Sequence, residues 1–106
     1  MNIDALQTHA QEAAKLLSAL SNEKRLLILC QLVGGERSVG DLAPQVGLSQ
    51  SALSQHLARL RRDGLVKTRR RSQMIFYALA SAEAEQVIAT LHHLYCAVPG
   101  NGAREP

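Results

Sequence analysis

Apolar residues recur every three or four positions along most of the chain, the spacing that places side chains on one face of an α-helix. Near the N-terminus this stripe consists of Ile3, Leu6, Ala10, Ala13, Leu16, Leu17 and Leu20. The next segment can be capped by Ser21 or Asn22, is apolar on nearly all sides, and is followed by Gly34 and Gly35. Because glycine favours helix ends, the pattern predicts an amphipathic first helix and a second helix at the centre of the core.

A short third helix and a tight turn follow. Ser38 and Asp41 resemble a capping box. Pro44 lacks an amide hydrogen, so the helix is expected to be short, beginning near Asp41, or kinked. Its inward positions are Leu42, Ala43 and Val46. Gly47 and Leu48 then form the connection to a fourth helix.

The fourth helix, capped by Ser49 and ended by Gly64, has one apolar and one polar face. The inward positions are Leu53, Leu57 and Leu60, and the outward positions are Gln50, Ser51, Ser54, Gln55, Arg59 and Arg62. Two helices joined by a tight turn, the second with small polar side chains outward, match a helix-turn-helix, whose second helix enters the major groove. Glutamine can pair with adenine through two hydrogen bonds, and serine can contact bases or phosphates.

After Gly64 the pattern changes to β-like runs at residues 65–69 and 74–79 around a polar tip at 70–73. Ser81 starts a last helix, whose apolar stripe is Val87, Ile88, Leu91, Leu94 and Tyr95. We therefore expect residues 1–98 to form one mainly α domain of five helices with a small β-hairpin. Residues 99–106, with Pro99, Gly100 and Gly102, are expected to form a flexible tail.

Composition limits the function classes. At 106 residues, with 46% hydrophobic and 20% charged residues, the chain has room for one domain, which excludes a multidomain enzyme. No apolar run approaches the ~20 residues that cross a bilayer, and no basic region followed by an apolar stretch opens the chain. We expect a cytosolic protein with no membrane partner.

The basic residues are concentrated in one segment. Residues 59–71 hold seven of the twelve basic residues and one acid, a balance of +6, whereas the remainder has five bases and eight acids, a balance of −3. Such an uneven charge distribution orients the protein when it meets a polyanion. Arg59 and Arg62 on the fourth helix and Lys67, Arg69, Arg70 and Arg71 on the hairpin are candidate phosphate contacts.

The stretch SVGDLAPQVGLSQSALSQHLARLRRDGLVKTRRRSQMIFYAL, with ALSNEKRLLILCQL before it, resembles the ArsR-type winged-helix repressors over nearly the whole chain. This resemblance implies a homodimer joined by the first and last helices, with two reading helices on a pseudo-palindromic operator and repression relieved by an inducer. By motif position the DNA-reading residues are Gln50, Ser51, Ser54, Gln55 and His56, after the cap Ser49, and residues 67–73 correspond to the wing. The tip of this wing lacks the glycine common in relatives.

Many relatives sense metals, but both of their ligand sets are incomplete in this sequence. Ser38 and Gly40 stand where a Cys-x-Cys pair would lie, and neither is a soft ligand. His92 and His93 are adjacent, so on a helix their side chains project about 100° apart and do not chelate one ion together unaided. We therefore expect no metal and no cofactor, with surface or interface histidines instead.

Cys30 and Cys96, 66 positions apart, form neither a disulfide framework nor a zinc site. Cys30 in LLILCQL could simply be a small buried hydrophobe. However, their positions in ILCQL and LYC resemble the persulfide-sensing, biofilm-growth-associated subgroup of ArsR repressors, in which the pair is the sensor. That resemblance implies that reactive sulfur species join the two thiols within one protomer as a disulfide or polysulfide, which lowers operator affinity. Because Cys96 lies near the end of a helix, we expect it to be the more exposed thiol and to react first.

Other functions remain open at this stage. A peroxide or disulfide-stress sensor with the same dithiol switch is the main alternative, and a metal-responsive ArsR repressor is a weaker one. A thiol enzyme would need an activating base and a substrate pocket that the sequence does not reveal, so no enzymatic activity is expected. A nonspecific architectural DNA binder would differ by equal affinity for operator and random duplex.

Overall fold

The computed structural model describes residues 1–96 as six helices and a three-stranded antiparallel sheet. The elements are α1 (Ile3–Thr8), α2 (Ala10–Leu20), α3 (Glu23–Val33), β1 (Arg37–Ser38), α4 (Val39–Val46), α5 (Gln50–Arg62), β2 (Val66–Arg71), β3 (Met74–Leu79) and α6 (Ala82–Tyr95). The expected mainly α fold with a β-hairpin is confirmed. The expected domain boundary at residue 98 and the tail at 99–106 lie outside the described residues.

The predicted first helix is in fact two helices that meet at His9. His9 has φ −109° and ψ 12°, outside the helical region, and it ends α1 and begins α2. Its ring Nδ1 lies 2.8 Å from Glu12 Oε1, and the Asn2 side chain accepts a hydrogen bond from Ala5 N at the start of α1. Because α1 buries none of its residues, no core packing holds it in line with α2.

The core forms around α3, as the sequence predicts. Asn22 supplies its N-cap by accepting a hydrogen bond from Arg25 N. The largest fully buried side chains are Ile28, Leu29, Leu42, Leu53, Leu57 and Leu60. Leu27 and Val33 on the same helix are exposed, so α3 is central without being buried on every side. Among the described residues, no helix combines the length and the apolar character needed to cross a membrane.

Helix α4 is short, as Pro44 predicts, but it begins at Val39 rather than near Asp41. The Ser38 hydroxyl accepts a hydrogen bond from Asp41 N at 3.2 Å, which caps the helix two residues before the expected start. Pro44 is exposed, and the helix ends two residues later at Val46. The missing amide hydrogen therefore interrupts only the final turn.

The sheet contains a strand that the sequence did not predict. Its order is β1-β3-β2, and Arg37 and Ser38 of β1 pair with Tyr77 and Phe76 of β3. A two-residue strand is too short to show a period of two, so it escapes pattern analysis. The hairpin turn is also tighter than expected: β2 extends to Arg71, and only residues 72–73 separate the strands.

Candidate DNA-reading surface and cysteine pair

The turn between α4 and α5 is held by several hydrogen bonds. Gly47 adopts φ +70°, a left-handed conformation that favours glycine, and its N–H and that of Leu48 donate to Ala43 O. Lys24 Nζ, on α3, donates to Val46 O at 3.0 Å. The Ser49 hydroxyl accepts from Ala52 N at 3.1 Å and so caps α5. These contacts fix the start of α5 relative to the core.

Helix α5 has the two faces that its sequence predicts. Leu53, Leu57 and Leu60 are fully buried. The polar candidates that precede or lie on its first two turns are exposed; they are Ser49, Gln50, Ser51, Ser54 and Gln55. His56 is only partly exposed. The outward face thus presents donors and acceptors without bulky apolar groups, which is the composition that reads base edges in a major groove.

The arginines at the end of α5 share one carboxylate. Arg62 Nε lies 4.0 Å from Asp63 Oδ1, and its side chain is 73% exposed. Arg59 Nε lies 3.5 Å from Asp63 Oδ2, but it is buried and makes no hydrogen bond, so this contact is an ion pair only. Arg62 is therefore the more available of the two for a phosphate.

Arg69, a predicted phosphate contact, has partners within the protein. Its guanidinium donates to both carboxylate oxygens of Glu36, with Nε 3.2 Å from Oε2, and lies 5.5 Å from the centroid of the Phe76 ring. The hydrogen bond between Arg69 and Glu36 raises the pKa of the arginine and lowers that of the carboxyl. Glu36 was missed by sequence analysis because it lies 33 positions away and belongs to no motif.

The other basic residues of β2 are exposed. Because side chains alternate along a strand, Lys67, Arg69 and Arg71 lie on one face of the hairpin and Arg70 on the other. Arg70 and Arg71 lie within β2, opposite Ile75 and Met74, and not in the tip as expected. Ser72, the first residue of the tip, adopts φ +57° without being glycine. The hairpin thus carries positive charge on both faces.

Cys30 and Cys96 are both free thiols and both exposed. Cys30 lies on α3 directly after the fully buried Leu29, but its own side chain is exposed. It is therefore not the core hydrophobe that its sequence context allowed. Cys96 caps the end of α6, where its N–H donates to His92 O at 2.8 Å. Helix α6 packs against α3.

The two thiols are electrostatic neighbours. Burial raises the pKa of Cys30, although its side chain is exposed overall, and the nearby Cys96 raises the pKa of Cys30 further. Cys96 ends a helix that packs against the helix of Cys30, although the two residues are far apart in sequence. Within residues 1–96, no three His, Cys, Asp or Glu side chains converge to hold a metal ion.

Comparison with known proteins extends these observations. Residues 22–68 match the model of the arsR family of bacterial regulatory proteins. The transcriptional activator HlyU of Vibrio cholerae is 53% identical over 96 residues, which cover 91% of this chain and 89% of HlyU. The solved structure of reduced HlyU superposes with a TM-score of 0.82 over 87% of this chain and 97% of that one.

Two further solved structures are similar. The transcriptional repressor BigR of Xylella fastidiosa is 44% identical and superposes with a TM-score of 0.87 over 92% of this chain and all of that one. The homodimeric winged helix-turn-helix DNA-binding domain of Mb0332 from Mycobacterium bovis is 30% identical, with a TM-score of 0.73 over 86% of this chain and 84% of that one. All three are transcriptional regulators or DNA-binding domains by name.

Proposed function

This chain belongs to the ArsR family of winged helix-turn-helix transcriptional regulators, and we propose that it is a homodimeric repressor that releases operator DNA when reactive sulfur species join Cys30 to Cys96. The observation that carries the sulfur-sensing part is the packing of α6, which Cys96 caps, against α3, which carries Cys30. The effect of Cys96 on the pKa of Cys30 supports it. Because the two thiols are exposed neighbours on different helices, a bond between them would fix α3 to α6.

The proposed operator contacts divide into two classes. Gln50, Ser51, Ser54 and Gln55 read base edges from the exposed face of α5, with His56 at its margin. The remaining candidates bind phosphates and set the register without reading sequence; they are Ser49, Arg59, Arg62, Lys67, Arg70 and Arg71. Arg69 mainly supports the hairpin through its contact with Glu36. The hairpin acts as the wing.

Exposed apolar residues on the first and last helices support a dimer. Ile3 and Leu6 on α1, Leu17 on α2 and Tyr95 on α6 are each more than half exposed. Exposed apolar patches mark protein–protein interfaces. The Mb0332 domain is named as homodimeric. We infer that a second copy covers these residues, which places two α5 helices on successive half-sites of one operator.

The proposed reaction with a low-molecular-weight persulfide, R–S–SH, has two steps. The Cys96 thiolate attacks the terminal sulfur, the S–S bond of the persulfide breaks, RS⁻ leaves, and Cys96 carries an S–SH group. The Cys30 thiolate then attacks Cys96 Sγ, and HS⁻ leaves with the outer sulfur. The two thiols lose two electrons and two protons, and the persulfide is reduced to RSH and H₂S. Cys96 acts first because the raised pKa of Cys30 leaves Cys30 with less thiolate.

A longer bridge is available by the same chemistry. If both cysteines carry S–SH groups, the outer sulfur of one attacks Sγ of the other, and HS⁻ leaves to give a trisulfide. A disulfide requires Cα atoms within about 7 Å, whereas an inserted sulfur relaxes that limit. In either case the bridge pulls α6, which belongs to the proposed dimer surface, against α3 in the core. The separation of the two reading helices changes, and operator affinity falls.

The test combines mass spectrometry with a gel shift on a duplex that the reduced protein has selected from a random pool. The protein is exposed separately to glutathione persulfide, hydrogen peroxide and oxidised glutathione. We expect persulfide to produce an internal Cys30–Cys96 bridge together with release, and the matched variants Cys30→Ser and Cys96→Ser to bind the duplex but not to release it. Bridged protein that still binds, or release that persists in both variants, overturns the proposal. Release by peroxide alone identifies a peroxide sensor instead.

A further inference from the structure

One arginine is buried away from both the reading surface and the cysteines. Arg25, on the first turn of α3, is 7% exposed. Its Nε donates to Ala19 O at 2.6 Å and its Nη2 to Ser18 O at 3.5 Å. Both carbonyl groups lie in the last turn of α2, where helix geometry leaves carbonyl groups short of amide partners. Ser18 O also accepts from Ser21 N at 3.2 Å. Arg25 therefore caps α2 from the neighbouring helix.

Helix α3, which carries Arg25, also packs against α5. Burial lowers the pKa of Arg25, the positive charge of Arg59 lowers it further, and the carboxylate of Asp63 opposes both effects. Asp63 in turn lies 3.5 Å from Arg59 Nε. Arg25 thus bonds to the end of α2 from the start of α3, on a helix that packs against both α2 and α5.

We propose that Arg25 is a positioning residue that fixes the angle between α2 and the reading helix α5, and thereby sets the half-site spacing that the dimer accepts. The inference rests on the proposed dimeric binding of an operator. Helix α2 belongs to the proposed dimer surface, and α5 is the proposed reader. Any change in the angle between them moves the two α5 helices of a dimer apart or together, and rotates them relative to the DNA axis.

Arginine suits this position better than lysine. The planar guanidinium carries five donors in a fixed fork, so it can bond two carbonyl groups of α2 with one edge while its charge attracts Asp63. A lysine ammonium is a point donor on a flexible stem, which can keep the charge but not the direction. Arg25→Lys therefore removes the forked donor geometry while it keeps the positive charge.

The experiment measures binding to operators whose half-sites are moved closer or farther apart by one base pair. The wild-type dimer is expected to lose at least about tenfold in affinity, since half-site spacing is set by the geometry of the dimer. Arg25→Lys and Arg25→Gln are expected to bind the original and altered operators within about threefold of each other. Sedimentation shows whether the variants remain dimers, and circular dichroism whether they fold. Arg61→Lys, an exposed arginine on α5, is the matched control and should keep the wild-type preference.

Each result decides one of the two claims. If the wild type shows no spacing preference, the proposed dimeric operator binding fails and the inference fails with it. If the wild type discriminates and both Arg25 variants discriminate equally well, only the role of Arg25 is overturned. If both Arg25 variants fail to fold, Asp63→Asn gives the same measurement from the α5 side. Its added positive charge strengthens binding to both operators alike, so a reduced ratio between the original and altered operators supports the role, and an unchanged ratio overturns it.

Discussion

Cys30 on α3 and Cys96 at the end of α6, 66 positions apart in sequence, belong to two helices that pack against each other. Burial raises the pKa of Cys30, and Cys96 raises it further. At neutral pH both effects hold Cys30 as a thiol, which protects it from direct oxidation but also delays its attack on a modified Cys96. In the proposed switch, bridge closure therefore depends on pH.

This leads to a prediction for pH dependence. Between neutral pH and the pKa of Cys30, each increase in pH increases the thiolate fraction, so bridge closure should become faster. Cys96→Ser removes the neighbouring negative charge and should lower the pKa of Cys30, which burial alone still holds above its ordinary value. The measurement is the alkylation rate of Cys30 against pH in both proteins. A profile that does not move in Cys96→Ser would show that the two thiols do not interact.

Gln55 tests the reading face of α5. Gln55→Ala removes one bidentate base contact and should weaken operator binding by ~1 to 3 kcal/mol while leaving binding to random duplex unchanged. Gln11→Ala, an exposed glutamine on α2, is the matched control and should change neither. Titration of both duplexes at one fixed salt concentration measures the difference. An unchanged preference for operator would remove Gln55 from the reading set.

Much of the reading helix was predictable because its packing is local. The spacing of Leu53, Leu57 and Leu60 settles which face is buried, and the opposite face follows from it. Cys30 shows where local patterns mislead: the apolar neighbours suggest burial, but α3 buries Ile28, Leu29 and Leu32, and Cys30 projects about 100° from Leu29 on the helix.

The remaining differences from expectation depend on contacts between distant segments. The strand β1 exists only because β3 lies beside it. Arg37 pairs with Tyr77, 40 positions later, and Ser38 pairs with Phe76, 38 positions later. The partner of Arg69 is likewise supplied by a residue outside the hairpin, Glu36. Neither pairing leaves a period or a motif in the sequence, so both required the folded chain.

Arg69 and Arg70 are adjacent in sequence but should differ in their effect on DNA binding. Arg70 is exposed, so Arg70→Gln should lower the slope of log affinity against log salt by about 0.9, the value for one lost phosphate contact. Arg69 is held by Glu36 and lies over Phe76, so Arg69→Gln should change the slope little and lower the thermal stability of the hairpin region. Salt titrations of the two variants make the comparison, and equal slopes would assign Arg69 to the phosphates after all.

Asp63 offsets part of the positive charge at the end of α5. Its carboxylate lies within 4.0 Å of Nε on both Arg59 and Arg62. Replacing it with asparagine keeps the shape of the side chain and raises the balance of residues 59–71 from +6 to +7, since that segment holds seven bases and this one acid. Affinity for random duplex should rise, and the salt slope should steepen by up to about 0.9. Folding stability should fall by no more than about 1 kcal/mol, because partly exposed ion pairs contribute little. The specificity ratio should therefore decrease, which competition between operator and random duplex measures.

Asp41→Asn, an exposed acid outside the basic segment, is the control for this prediction. A random-duplex affinity that stays at the wild-type value would mean that the two arginines do not reach the DNA backbone.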